Sequence, residues 1–186
     1  MRQSRFGREV RRRIVERADP AVKEGAERYF KNRLRFLGLN APGIRGVARE
    51  VEPLLEGRPV SQVVGECFRL LHSPWAEERH VGIALLGRNV RRLPPTFLQD
   101  FEPVFDRTVH DWGACDHIAG RVLRPLVSTS PRWRKRIVSW RSAVQLEKPA
   151  ERVPTSEVPQ NVFMQVRAHM LDTRLTESKP LKRIPT

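Results

Sequence analysis

Apolar positions recur along most of this chain at intervals of three and four. After Asn40 and Pro42, the residues Ile44, Val47, Ala48, Val51, Leu54 and Leu55 fall at i, i+3, i+4, i+7, i+10 and i+11. That spacing describes one face of a helix, not the alternation of a strand. Val60, Val63, Val64, Cys67, Phe68 and Leu71 repeat it, and Ser73-Pro74 restarts it toward Trp75, Val81, Ala84 and Leu85. Phe97, Phe101, Val104 and Phe105 continue it after Pro94-Pro95. Upstream, Asp19-Pro20 reads as a cap followed by proline at the first helical position, and Tyr29, Phe30 and Leu34 extend a stripe up to Gly38. A helix is predicted from about Asp111 to Val127, and another opens at Ser130-Pro131 with Trp133, Ile137, Trp140 and Val144. No strand is required.

Short helices broken at proline junctions and pairing every ~35–45 residues predict an all-α fold of HEAT-like stacked helical hairpins, an α-α superhelix. A generic helical bundle is the alternative. The repeat domain is expected over residues 1–147. Residues 148–186 hold prolines at 149, 154, 159, 180 and 185, and only 161–175 reads as a further helix, so this stretch is expected to be an irregular tail.

Charge narrows the partner. The chain of 186 residues carries a net +14, distributed unevenly. Residues 1–17 hold seven basic and two acidic side chains, 18–120 hold fourteen of each, and 121–141 hold seven basic and none acidic. Two localised basic segments fit a polyanion such as nucleic acid, because each phosphate contact releases condensed counterions. No apolar run approaches the ~18 residues of a membrane span, and the arginine-rich start lacks the features of a secretory signal. A cytoplasmic monomer is expected, nucleoid-associated if the source is bacterial. Cys67 and Cys115 are too few for a disulfide framework or a four-cysteine zinc site.

The densest run of reactive residue types is His110-Asp111-Trp112-Gly113-Ala114-Cys115-Asp116-His117. Asp116 stands ~40° around the helix from Trp112, with Ala119, Leu123, Leu126 and Val127 flanking them. A carboxylate in an apolar stripe needs a partner or a cleft. It is either a structural cap or ion pair, or a site residue. Trp133, Arg136, Ile137 and Trp140 form a second group at i, i+3, i+4 and i+7. Arg136 at its edge either snorkels past two core tryptophans or offers a planar fork to a phosphate or to Asp116. No histidine pair has chelate spacing, so no metal is expected, and Cys115 reads as a small packed hydrophobe. No phosphate loop or dinucleotide pattern appears, so no cofactor is expected.

Several of these segments together resemble the DNA alkylation repair family, the HEAT-like-repeat DNA glycosylases. Tyr29-Phe30-Lys31-Asn32-Arg33-Leu34-Arg35-Phe36-Leu37-Gly38-Leu39 with Pro42 and Arg45 is similar to its opening signature, and Pro74-Trp75-Ala76-Glu77-Glu78-Arg79 to its next pair. Asp111-Trp112-Gly113-Ala114-Cys115-Asp116 resembles its tryptophan, three residues, aspartate motif, and Trp133-Arg134-Lys135-Arg136 its tryptophan, two residues, arginine motif. The resemblance spans about residues 20–146. It implies excision of positively charged alkylpurines, 3-methyladenine and 7-methylguanine, from double-stranded DNA by glycosidic-bond hydrolysis. Asp116 and Trp112 would be the catalytic pair, and Arg136, Trp133, Arg132, Arg134 and Lys135 the DNA-binding residues. Residues 148–186 show neither the family's further repeats nor a tryptophan. That departure predicts weakened or lost catalysis with DNA binding retained. The alternative function is a non-catalytic helical-repeat module for DNA or protein recognition.

Overall fold

Helices start where the sequence supplies a side-chain acceptor. In the computed structural model, which describes residues 3–31, 33–109 and 111–137, Ser4 caps α1 (Arg5–Val15) and Asp19 caps α2 (Pro20–Tyr29). Asn40 caps α3 (Ala41–Val51) by accepting the N–H of Gly43 at 2.9 Å. Then follow a 3-10 turn (Glu52–Leu55), α4 (Val60–Leu71), α5 (Ala76–Arg88), a second 3-10 turn (Val90–Arg92) and α6 (Phe97–Thr108). α7 (Trp112–Ile118), a π-helical stretch (Ala119–Leu123) and α8 (Arg124–Thr129) complete the named elements, and residues 131–137 are again helical. The described residues contain no strand, and Arg35 and Trp75 make an isolated bridge.

The helices stack as hairpins in two layers. α3, α5 and α7 lie side by side, α4 and α6 pack behind them, and α1 closes the first end against α3, α4 and α5. The stripes read from the sequence meet in a single core that runs from Phe6 and Val10 through Val47, Cys67, Leu85 and Phe101 to Leu123 and Trp133. Gly87 lets α5 approach the π-helical stretch, since a Cβ there would stand 2.6 Å from the carbonyl oxygen of Arg121.

One helix is added to those read from the sequence, and two expectations are revised. The arginine-rich start is a helix, α1, because Phe6, Val10 and Ile14 recur every four residues and bury one face. The stripe at Tyr29, Phe30 and Leu34 does not continue to Gly38. α2 ends at Tyr29 with no buried residue, Lys31 takes a left-handed φ of 52°, and the chain then extends so that Arg35 accepts the N–H of Ala76 at 3.0 Å. The helix expected from Asp111 to Val127 is interrupted by the π-helical stretch, just ahead of Pro125. Proline has no N–H for the preceding turn, and its ring crowds the carbonyl of residue i−4, here Arg121. Trp140, Val144 and the tail at 148–186 lie outside the described residues.

Candidate active site

Three consecutive charged residues open α5, and all three are buried. Glu77 accepts the backbone N–H groups of Leu37, Gly38 and Leu39 at 2.9, 2.9 and 3.3 Å. Glu78 accepts both Nε and Nη2 of Arg11 at 2.5 and 3.0 Å and the hydroxyl of Ser73 at 2.5 Å. Arg79 donates to the carbonyl of Thr108 at 3.3 Å and lies 3.9 Å from Asp111. One turn of α5 thereby fixes the loop before α3, the first helix and the start of α7.

Asp111 is the N-cap of α7, its Oδ1 accepting the N–H of Ala114 at 2.8 Å. The buried carboxylate of this region is therefore Asp111. Asp116 is exposed, between buried Cys115 and half-buried His117. It does not lie in the apolar stripe drawn from Ala119, Leu123, Leu126 and Val127. Within α7 the core-facing residues are Ala114, Cys115 and Ile118, which leaves Asp116 on the outer side, and the π-helical stretch then shifts the phase of Leu123, Leu126 and Val127. Trp112 opens α7, one helical turn before Asp116.

A histidine pair closes the other end of α7. The rings of His80, from α5, and His117 meet edge to face with centroids 4.8 Å apart. Burial, and then the neighbouring His117, hold the imidazole of His80 down to about 4, and burial with nearby Arg121 lowers His117 as well. His117 lies in the reactive run read from the sequence, but nothing there marks His80 or pairs the two. Their partnership runs between two helices and has no local signature.

The tryptophan and arginine group divides. Trp133 is 4% exposed and belongs to the core, where the guanidinium of Arg132 lies 4.8 Å from its ring centroid. Arg132 rests on this buried ring. Arg136 directs Nε and Nη2 to Glu102 at 2.9 and 2.8 Å, so its carboxylate partner is Glu102 and not Asp116. Arg134 and Lys135 are exposed beside them.

The two basic segments differ in the same way. At the N-terminus Arg12 pairs with Glu9 and Glu16, Arg13 with Glu9 and Glu50, and Arg17 with Glu50. These pairs pull the carboxyl of Glu9 down to about 2. Much of the first basic segment is thus neutralised within the fold, leaving Arg5 and Arg8, which with Arg58 from the loop before α4 line a groove of about 610 Å³. Cys115 is buried, and burial pushes the thiol of Cys67 up to about 12, so both act as packing groups. Among the described residues no helix is long and apolar enough to cross a membrane.

The fold and this region together define an all-helical hairpin stack in which the layer of α3, α5 and α7 presents an exposed carboxylate from a short, buttressed helix. Residues 10–146 match the family model described as DNA alkylation repair enzyme, and the chain belongs to that family. No curated protein and no solved structure matched the chain. Membership indicates a DNA repair enzyme acting on alkylated DNA.

Proposed function

We propose that this protein is a glycosylase that releases positively charged purines, 3-methyladenine and 7-methylguanine, from duplex DNA by hydrolysing the N-glycosidic bond. The observation that carries the reading is Asp116, an exposed carboxylate on a helix otherwise anchored by buried residues. An alkylated purine is already cationic, so its bond to C1′ breaks with the electron pair going to the base, which leaves neutral. Water adds to C1′ and loses a proton. The barrier that remains is the positive charge building on the sugar, and a fixed carboxylate facing it lowers that barrier. Chemistry of this kind asks for no metal or cofactor.

Trp112, one turn before Asp116, would set its π-face toward the cationic nucleotide. Arg136 would take a backbone phosphate in exchange for Glu102, one two-pronged acceptor replacing another. Arg132, Arg134 and Lys135 would follow the neighbouring phosphates. The protein would act as a monomer in the cytoplasm, at the DNA.

The test is release of free base from methylated duplex DNA, resolved by chromatography, with and without the protein. Release of 3-methyladenine or 7-methylguanine above the spontaneous rate is expected. Salt-dependent binding without release would instead support the non-catalytic module and contradict the proposal.

A further inference from the structure

α7 is seven residues long before it passes into the π-helical stretch, so the direction of Asp116 depends on what grips this segment of the helix. Two consecutive residues of α5 do so at its two ends. Arg79 takes the start, through the Thr108 carbonyl and the capping carboxylate Asp111. His80 takes the last turn, through the ring of His117. Asp116 lies between these two grips and directly precedes His117.

The second grip is made of titratable groups. Nε2 of His80 is buried with no hydrogen-bond partner among the described residues. Around the pair stand Arg79 of α5, Arg45 of α3, Arg121 of the π-helical stretch, the cap Asp111 and Asp116 itself. A proton on either ring would place a cation against the other ring and among three guanidinium groups, where the two carboxylates only partly offset it.

We infer that His80 is a positioning residue for Asp116: its neutral ring, seated on His117, fixes the last turn of α7 and with it the exposed carboxylate. The inference rests on the reading of Asp116 as the catalytic carboxylate. At neutral pH both rings are uncharged and the contact holds. Acid separates the rings, loosens α7 and misdirects Asp116, so excision falls.

The experiment uses the full chain as wild type, His80→Ala and His80→Phe, with two readouts. One is hydrogen exchange of the α7 amides, corrected for intrinsic rates. The other is single-turnover excision from methylated duplex DNA between about pH 4 and pH 8, a range that reaches the value at which the buried His80 takes its proton. His80→Ala is expected to speed α7 exchange and slow excision by about tenfold, with duplex affinity unchanged. His80→Phe keeps an aromatic ring that cannot titrate. Its rate at neutral pH should stay within about twofold of wild type, and it should lack the acid loosening of α7 that wild type shows. Unaltered α7 exchange in His80→Ala overturns the inference, and so does an identical pH response in wild type and His80→Phe. Asp116→Asn, run alongside, separates the two readings. Excision at the wild-type rate in that variant defeats the catalytic reading, and the positioning claim is then decided by the exchange data.

Discussion

Glu77 holds Gly38 in place, its buried carboxylate accepting the glycine N–H at 2.9 Å while also taking those of Leu37 and Leu39. The same glycine has φ 108°, and a Cβ there would stand 2.5 Å from the carbonyl oxygen of Asp19. One side chain from α5 and one residue without a side chain thus fix the turn that leads into α3 and Arg45.

Glu77→Ala leaves those three N–H groups without their acceptor, two of them in buried bonds. At ~1–3 kcal/mol for each unsatisfied buried group, a loss of ~3 kcal/mol and a fall in thermal midpoint of ~6–12 °C are expected. Glu77→Gln retains one acceptor oxygen and should fall by less than half as much. The check is a pair of thermal melts, and a midpoint in Glu77→Ala equal to wild type would contradict the role of this carboxylate.

Much of the fold was legible because helical periodicity survives wherever one face is buried. α4 and α6 follow their predicted stripes, and Pro103 inside α6 does not break the second, while α5 forms where predicted but is buried nearly all round. α1 was not read because seven basic side chains in its neighbourhood hid a stripe of only Phe6, Val10 and Ile14. The segment after Tyr29 misled in the opposite sense. Its aromatics Phe30 and Phe36 pack together, with ring centroids 5.4 Å apart, through an extended chain and not along a helix. At the site, the positions of Asp111, Trp112 and Asp116 along the chain could be read, but which carboxylate is buried could not, because that depends on Arg79 of α5 meeting the cap of α7. The buried Glu77, Glu78 and Arg79 were visible only as a motif. Their roles depend on partners 40, 67 and 32 positions away, at Leu37, Arg11 and Asp111.

Stability should depend on pH through His80. Its folded value is held near 4 against an ordinary 6.5, so the unfolded chain takes up the proton first as pH falls. The contribution is fully present above about pH 6.5, declines below it, and is gone near pH 4, a loss of at most ~3 kcal/mol. His117 is shifted in the same direction and adds to it. Thermal midpoints measured at about pH 7 and pH 5 should separate more for wild type than for His80→Phe. Equal separations would show that His80 does not titrate in this way.

DNA binding should draw unequally on the two basic segments. Arg132, Arg134 and Lys135 are exposed, so neutralising all three should weaken duplex binding and flatten its salt dependence by about one unit of slope for each phosphate no longer engaged. Arg12, Arg13 and Arg17 are already paired with Glu9, Glu16 and Glu50, and replacing them with glutamine should change the slope much less. Binding titrations over a salt series check this, and equal flattening by the two triple variants would contradict it.

The central claim is that the negative charge of Asp116 stabilises the sugar as the base departs. Asp116→Asn keeps the size of the side chain and removes the charge. Because Asp116 is exposed and caps no helix, the variant should fold as wild type and bind duplex DNA as well or better. Single-turnover excision of 3-methyladenine from methylated duplex DNA should then fall ~10²-fold with affinity unchanged. An excision rate equal to wild type, at full duplex binding, would contradict the account.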